Sequence, residues 1–375
     1  MRFGFITLNT TSYKGGSEKL WRELAEKAFQ QGHDVVVSVY NSQITATKNL
    51  FKNSNLRIYS RPSFTGVSLQ KKITGRIQEK LTGWRHNHFF QGSEPDAYII
   101  SCGGLAELGV KRNQIQIANV TKPYVIIVQN NTENWVFEKH NLNHVSNILQ
   151  RATKVFFVSY RLQEQAERQL GMKFNNASLV ANPIKKANAT KLPQGDVVNA
   201  AFIGTADLRV KGLSLLIQAM SNEVWTNRKI TINVYGEGVH ESEIKLLIDK
   251  FGVEDKFSIH GWVDDMDEVW AKNNALISTS FNEGLPLVIQ EAMMRGRLVI
   301  ATDVGGTAEI ITDGVDGYLA EAASLSYVLK ALERWWGDQD KWNDIGRNAA
   351  QRVRAFHETI PQGVAVLEAL MTKDD

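Results

Sequence analysis

The chain has 375 residues, 43% of them hydrophobic and 22% charged, and a formal charge of +3. The length passes the roughly 250 to 300 residues at which single cores stop growing, so two domains are expected, and the composition excludes a disordered chain. The lone Cys102 excludes a disulfide framework and fits a reducing compartment, the slight charge argues against nucleic-acid binding, and no apolar run reaches the ~20 residues of a membrane span.

The N-terminus MRFGFITLN is too short and strand-like for a signal peptide, so a cytoplasmic protein is expected. Arg2 to Leu8 reads as a strand, NTTSYKGGSEK as a polar glycine loop, and Leu20, Leu24 and Ala28 as the apolar face of a helix. His33 to Val39 then reads as a second buried strand. The opening is therefore a βαβ unit of the Rossmann kind. Gly15 and Gly16 let backbone approach a ligand at the carboxyl end of the first strand, although the G-x-G-x-x-G spacing of a dinucleotide site is missing.

Between residues 70 and 90, Ile73, Ile77, Leu81 and Trp84 recur at helical spacing among Lys71, Lys72, Arg76, Lys80 and Arg85. A basic amphipathic helix of this kind packs on its own domain or makes peripheral contact with an anionic membrane at its inner face. Ala97 to Ser101, Tyr124 to Val128 and Val155 to Ser159 read as further buried strands. His140 and His144 have the spacing of a zinc helix, but no glutamate follows His140, so a surface helix is expected. Ala181 to Gln194 is rich in Asn, Lys and Pro and reads as the interdomain linker, which puts the domains at 1–185 and 186–375, the last helix crossing back to the first.

The second half repeats the theme. Val198 to Ile203, Lys229 to Tyr235, Phe257 to His260 and Ala275 to Ser278 read as strands, Leu213 to Met220 as a helix, and Asp264 or Asp265 as the cap of a helix running to Asn273. The stretch from Asn282 to Gly306 carries Glu283 and Glu291 around a Gly-Leu-Pro corner, with Pro286 expected at the first helical position. Glu283, Gly284 and Leu285 then lie in the loop and Glu291 inside the helix. The Arg209 and Lys211 loop, this helix start and the Gly305 and Gly306 loop would converge at the carboxyl ends of the strands. Cations and backbone N–H groups suit a diphosphate there, and the deeper carboxylate suits a ribose diol.

The stretch from His260 to Leu319, with the E-x7-E element of Glu283 and Glu291, resembles the signature of the retaining GT-B glycosyltransferases of glycosyltransferase family four. FIG followed by VKG at Phe202 to Gly212, YGEG at Tyr235 to Gly238, ANPI at Ala181 and AEKAFQQGHDVVV in the first domain add to the resemblance. It implies an α/β fold of two Rossmann-like domains facing across a cleft, and hexose transfer from a nucleotide diphosphate sugar to a hydroxyl acceptor, glycan or lipid-linked, without a cofactor. It further implies that Lys211 and Arg209 neutralise the donor diphosphate, and that Glu283, with the N–H groups of Gly284 and Leu285, binds the transferred sugar. Glu291 would hold the ribose and the backbone near Val263 the base, with Gly204 and Gly236 against the nucleotide and Gly15 and Gly16 on the acceptor or phosphate side.

Two positions depart from the family pattern. Thr205 stands where many members have arginine, and the strand that often ends in histidine ends here in Gln129, Asn130 and Asn131. The alternatives are a two-Rossmann nucleotide-sugar epimerase and a non-catalytic glycosyltransferase-like binding subunit. Asp265 and Asp267 form a D-x-D, for which helix capping is expected rather than a metal site.

Overall fold

The computed structural model describes residues 1–9, 16–52, 56–61 and 94–371. The chain divides into two compact units, Met1–Pro183 with Pro361–Asp375, and Ile184–Ile360.

The first unit is built on a parallel sheet of seven strands: β1 (Arg2–Thr7), β2 (Asp34–Tyr40), β3 (Arg57–Arg61), β4 (Ala97–Cys102), β5 (Tyr124–Val128), β6 (Lys154–Phe157) and β7 (Ala177–Leu179). Their order is β3-β2-β1-β4-β5-β6-β7. Parallel strands covered by helices on both faces need apolar residues at nearly every position, which YVIIV and DVVVSVY supply. The helix Gly16–Gln30 buries Leu20, Trp21, Leu24, Ala25 and Ala28 along one stripe, each large side chain contributing about 1.5–3 kcal/mol of burial. Ser159 caps the helix Tyr160–Leu170 by accepting the N–H of Leu162, and Gly171, at φ 62°, closes it. The terminal helix Val364–Met371 also packs in this unit through Val366, Leu367 and Leu370.

The second unit carries a parallel sheet of six strands: β8 (Val198–Ile203), β9 (Ile230–Tyr235), β10 (Phe257–Gly261), β11 (Ala275–Ser278), β12 (Leu298–Thr302) and β13 (Tyr318–Ala320), in the order β10-β9-β8-β11-β12-β13. Trp335 stacks on Trp225 and Trp342 at the base of its core. In each sheet the strand order reverses once, between β1 and β4 and between β8 and β11. Such switch points open crevices at the carboxyl ends of the strands.

β3, β7 and β13 are additions to the sequence reading, all short edge or near-edge strands whose periodicity is too brief to detect. Pro286 is a correction. Its φ of −68° is helical, but its ψ of 116° is extended, so it is the N-cap and the helix Leu287–Met294 begins one residue later. The proline ring fixes φ alone and leaves ψ to the turn. The helix expected near residues 70–90, with its membrane contact, lies outside the described residues. No helix among the described residues is long and apolar enough to cross a membrane.

Candidate functional site

Around the β8/β11 switch point, the loops leaving neighbouring strands approach so closely that only glycine fits. Gly212 sits at φ +65°, and a Cβ there would stand 1.9 Å from the carbonyl oxygen of Thr279. Gly305, at φ +54°, would place a Cβ 2.0 Å from the carbonyl oxygen of Glu283. These approaches are stitched by hydrogen bonds. Thr279 Oγ1 donates to the Gly212 carbonyl at 2.8 Å, the Phe281 N–H to Val210 at 2.8 Å, and the Gly306 N–H to Gly284 at 2.7 Å. Thr302 Oγ1, at the end of β12, donates to the Ser280 carbonyl at 2.6 Å.

The stitching brings two sequence-distant charges together. Lys211 Nζ donates to Glu283 Oε1 at 2.7 Å, and Ser280 Oγ donates to the same oxygen at 2.8 Å. The lysine and glutamate side chains are 22% and 13% exposed, so the pair is shielded yet reachable from solvent. Gly204 leaves room for the lysine stem, because a Cβ at that position would stand 3.2 Å from its carbons. A half-buried pair of this kind is costly to break unless a new partner replaces the one withdrawn.

Arg209 is placed differently. Its guanidinium clamps Asp207, with Nε to Oδ1 at 3.0 Å and Nη2 to Oδ2 at 2.7 Å, and is 72% exposed. Asp207 in turn caps the short helix Leu208–Lys211 by accepting the Arg209 N–H at 3.0 Å. The arginine's hydrogen bonds hold the Asp207 carboxyl below the usual range. The two cations expected to act together therefore have separate partners in this structure.

Glu291 lies one turn into the helix Leu287–Met294 and is half-buried, while its carbonyl accepts from Arg295 Nη1 at 3.1 Å. Gly284 and Leu285 are buried beneath the corner. The Gly236 N–H donates to Gly261 at 2.7 Å and the Gly204 N–H to Tyr235 at 3.0 Å, which locks the ends of β8, β9 and β10 together. Val263 follows β10, beside Trp262, whose exposed indole donates to Asp264 Oδ1 at 2.7 Å. In the first unit Gly16 opens the helix Gly16–Gln30, and Gly15 lies outside the described residues.

The D-x-D is used structurally. Asp265 caps the helix Met266–Lys272 by accepting the Asp267 N–H at 2.8 Å, and Asp267 binds Lys185 and Arg295, whose hydrogen bonds keep its carboxyl acidic. His140 and His144 are exposed on the helix Lys139–Arg151. Gln129 accepts a hydrogen bond from Asn182 Nδ2 at 2.8 Å, and Asn131 donates to Gln169. Sequence reasoning missed Ser280, Thr279 and Asp207, which hold Lys211 and Glu283 in place. The run STSFNEG, small polar residues directly after a buried strand, was the available signal.

Residues 198–338 match the family described as glycosyl transferases group 1. The second unit carries a glycosyl transferases group 1 domain. The ion pair of Lys211 and Glu283 and the loops that hold it fall within this domain.

Among curated relatives, the chain is 25% identical over 215 residues to an uncharacterized 41.2 kDa protein in the cps region of Klebsiella pneumoniae, covering 54% of this chain and 57% of that one. It is 28% identical over 145 residues to the N-acetyl-alpha-D-glucosaminyl L-malate synthase of Bacillus anthracis, covering 39% of this chain and 38% of the relative. The matches thus span about half or less of these relatives' length. Among solved structures, HepE of Anabaena in complex with UDP superposes with a TM-score of 0.72 at 18% identity, covering 98% of each chain. Both units thus share the α/β fold of GT-B glycosyltransferase structures.

Proposed function

We propose that the chain is a retaining glycosyltransferase that moves a hexose from a nucleotide diphosphate sugar to a hydroxyl acceptor in glycan, glycolipid or polysaccharide assembly, without a metal. The observation that carries this reading is the shielded contact between Lys211 and Glu283 at the β8/β11 switch point, within the glycosyl transferases group 1 domain. In the reaction, the bond from the anomeric carbon to the diphosphate oxygen breaks, the acceptor oxygen bonds to that carbon, and the acceptor proton passes to the leaving diphosphate. Lys211 stabilises the negative charge that develops on the leaving group. Glu283, released from the lysine, accepts hydrogen bonds from sugar hydroxyls, and Ser280 keeps its carboxylate oriented. Glu291 binds the ribose hydroxyls, and the backbone at Val263 meets the base. Arg209 reaches the diphosphate as a second cation by exchanging Asp207 for phosphate oxygens.

HepE has been solved with UDP and with UDP-glucose, which makes uridine donors the first to try. The test incubates the protein with a panel of nucleotide sugars and follows nucleoside diphosphate release with and without acceptor extracts, with NMR of the anomeric configuration of the product. Release that depends on acceptor, with retention and in the presence of chelator, is expected. Inversion would remove the retaining assignment, and activity abolished by chelator and restored by manganese would remove the metal-independent one.

A further inference from the structure

Arg209 and Lys211 both lie on the short helix Leu208–Lys211, and the start of that helix is held from outside by His240, a residue the transfer chemistry does not use. The loops after β8 and β9 approach closely enough that a Cβ at Gly238 would stand 2.7 Å from both the nitrogen and the oxygen of Ala206. The Ala206 N–H donates to the Glu237 carbonyl at 3.1 Å, and the His240 N–H to the Ala206 carbonyl at 3.0 Å. These bonds set the imidazole against the helix start.

There the Leu208 N–H donates to His240 Nδ1 at 3.3 Å. An amide N–H only donates, so Nδ1 carries a lone pair and the ring is neutral, with its proton on Nε2. The same Nδ1 lies 3.4 Å from Asp207 Oδ1, the oxygen that accepts both the backbone N–H and the Nε of Arg209. Imidazole and carboxyl are each about one-fifth exposed, 23% and 20%, while the guanidinium is at the surface.

The other charged groups around the ring have their own partners or lie along its own loop and helix. Glu241 accepts the Gly238 N–H at 3.0 Å, Glu243 accepts from Ser242 Oγ at 2.8 Å, Glu237 precedes the ring in the loop, and Lys245 follows it in the helix Glu241–Phe251. The helix Leu213–Met220, packed on that one, carries no charged residue. Asp207 is the carboxylate that Nδ1 meets.

We propose that His240 is a positioning residue that decides whether Arg209 is held by Asp207 or released to the donor phosphates. The inference rests on the glycosyltransferase reading, in which Arg209 exchanges Asp207 for phosphate oxygens, and names what controls the exchange. With the ring neutral, Nδ1 accepts from Leu208 and Asp207 is left to the guanidinium. A proton on Nδ1 turns that acceptor into a donor, so the Leu208 bond is lost and Nδ1–H turns to Asp207 Oδ1. The imidazolium then competes with the guanidinium for one carboxylate, and Arg209 is released. Imidazoles ordinarily change charge between about pH 5 and pH 8. By linkage, a proton that frees Arg209 tightens phosphate binding, and phosphate binding favours that proton by the same factor.

The test is calorimetry of uridine diphosphate on the full chain at about pH 6 and pH 8. A ligand-free arm follows hydrogen exchange of the Arg209 Nε–H by NMR, assigned by its loss in Arg209→Ala. His240→Asn is the informative variant, because its amide oxygen accepts from Leu208 yet takes up no proton. The nucleotide's own phosphate titration is common to every protein compared, so it cancels when the variants are set against wild type. From pH 8 to pH 6, wild type should gain at least about fivefold in affinity relative to both His240→Asn and Arg209→Ala. At about pH 6 the Arg209 Nε–H should exchange at least about threefold faster in wild type than in His240→Asn. An equal pH dependence of affinity in wild type and His240→Asn, or equal exchange in the two, would overturn the proposal, and is the result expected if His240 only holds the helix start together. Failure of uridine diphosphate to bind, with faster exchange in wild type, would count against the proposed function and support the control of Asp207 by His240.

Discussion

Lys211 and Glu283, 72 positions apart in the chain, share a hydrogen bond of 2.7 Å, and Ser280 donates to the same carboxylate oxygen. The pair keeps two charges shielded and mutually satisfied. Anionic phosphate oxygens for the lysine and sugar hydroxyls for the glutamate can replace that contact without leaving either charge alone.

Removing either partner should therefore hit turnover. Lys211→Met keeps the stem against Gly204 but removes the charge, and should lower kcat about 10²–10³-fold. Glu283→Gln should lower turnover more than nucleotide affinity, because the proposed function gives Glu283 the transferred sugar and not the nucleotide. Steady-state kinetics with calorimetry of the free nucleoside diphosphate checks both, and wild-type turnover in Lys211→Met would refute the role given to the cation.

The proposed function gives Glu291 the ribose hydroxyls. Glu291→Ala should weaken nucleoside diphosphate binding by about 1.5–3 kcal/mol, the range for hydrogen bonds to a charged group, with a smaller effect on kcat. Unchanged affinity by calorimetry removes the ribose assignment.

Gly305 is a geometric keystone for Glu283. Alanine there must either give up φ +54° or push the Glu283 carbonyl away from a Cβ 2.0 Å distant. Gly305→Ala should cost about 2–4 kcal/mol, lower the Tm of the second unit by roughly 5–10 °C, and reduce turnover with it. A Tm within about 1 °C of wild type would mean that the corner relaxes freely.

Glu107 should leave a signature in the pH dependence of stability. The folded protein holds this proton more tightly than the unfolded chain, so the group favours the fold below the ordinary carboxyl range, and the advantage is lost as pH climbs through about 7. Between about pH 5 and pH 8 the loss should be about 1–2 kcal/mol once screening of a half-buried carboxyl is allowed for. Glu107→Gln should abolish that part of the decline in urea titrations at the two pH values. An identical decline in the variant would rule Glu107 out as its source.

Much of the architecture was legible in the residues. Runs such as YVIIV and the strand from Val198 to Ile203 are apolar at nearly every position because both faces of a parallel sheet are covered, and Asp265 stands where the helix Met266–Lys272 needs a cap. These are local signals, carried by the period of burial and the unmet N–H groups of a helix start. The E-x7-E stretch likewise announced a helix start with one carboxylate before it and one inside it. Tertiary structure alone decided partners. Arg209 turned to Asp207, two residues away, while Lys211 crossed to Glu283, because the approaches at Gly212 and Gly305 bind the loops after β8, β11 and β12 into one surface. Burial, with the charge of Glu18 nearby, shifted the Glu107 proton toward neutrality. Sequence spacing encodes which face of an element is buried. Which charges meet depends on contacts between loops far apart in the chain, and these exist only once the sheet has formed.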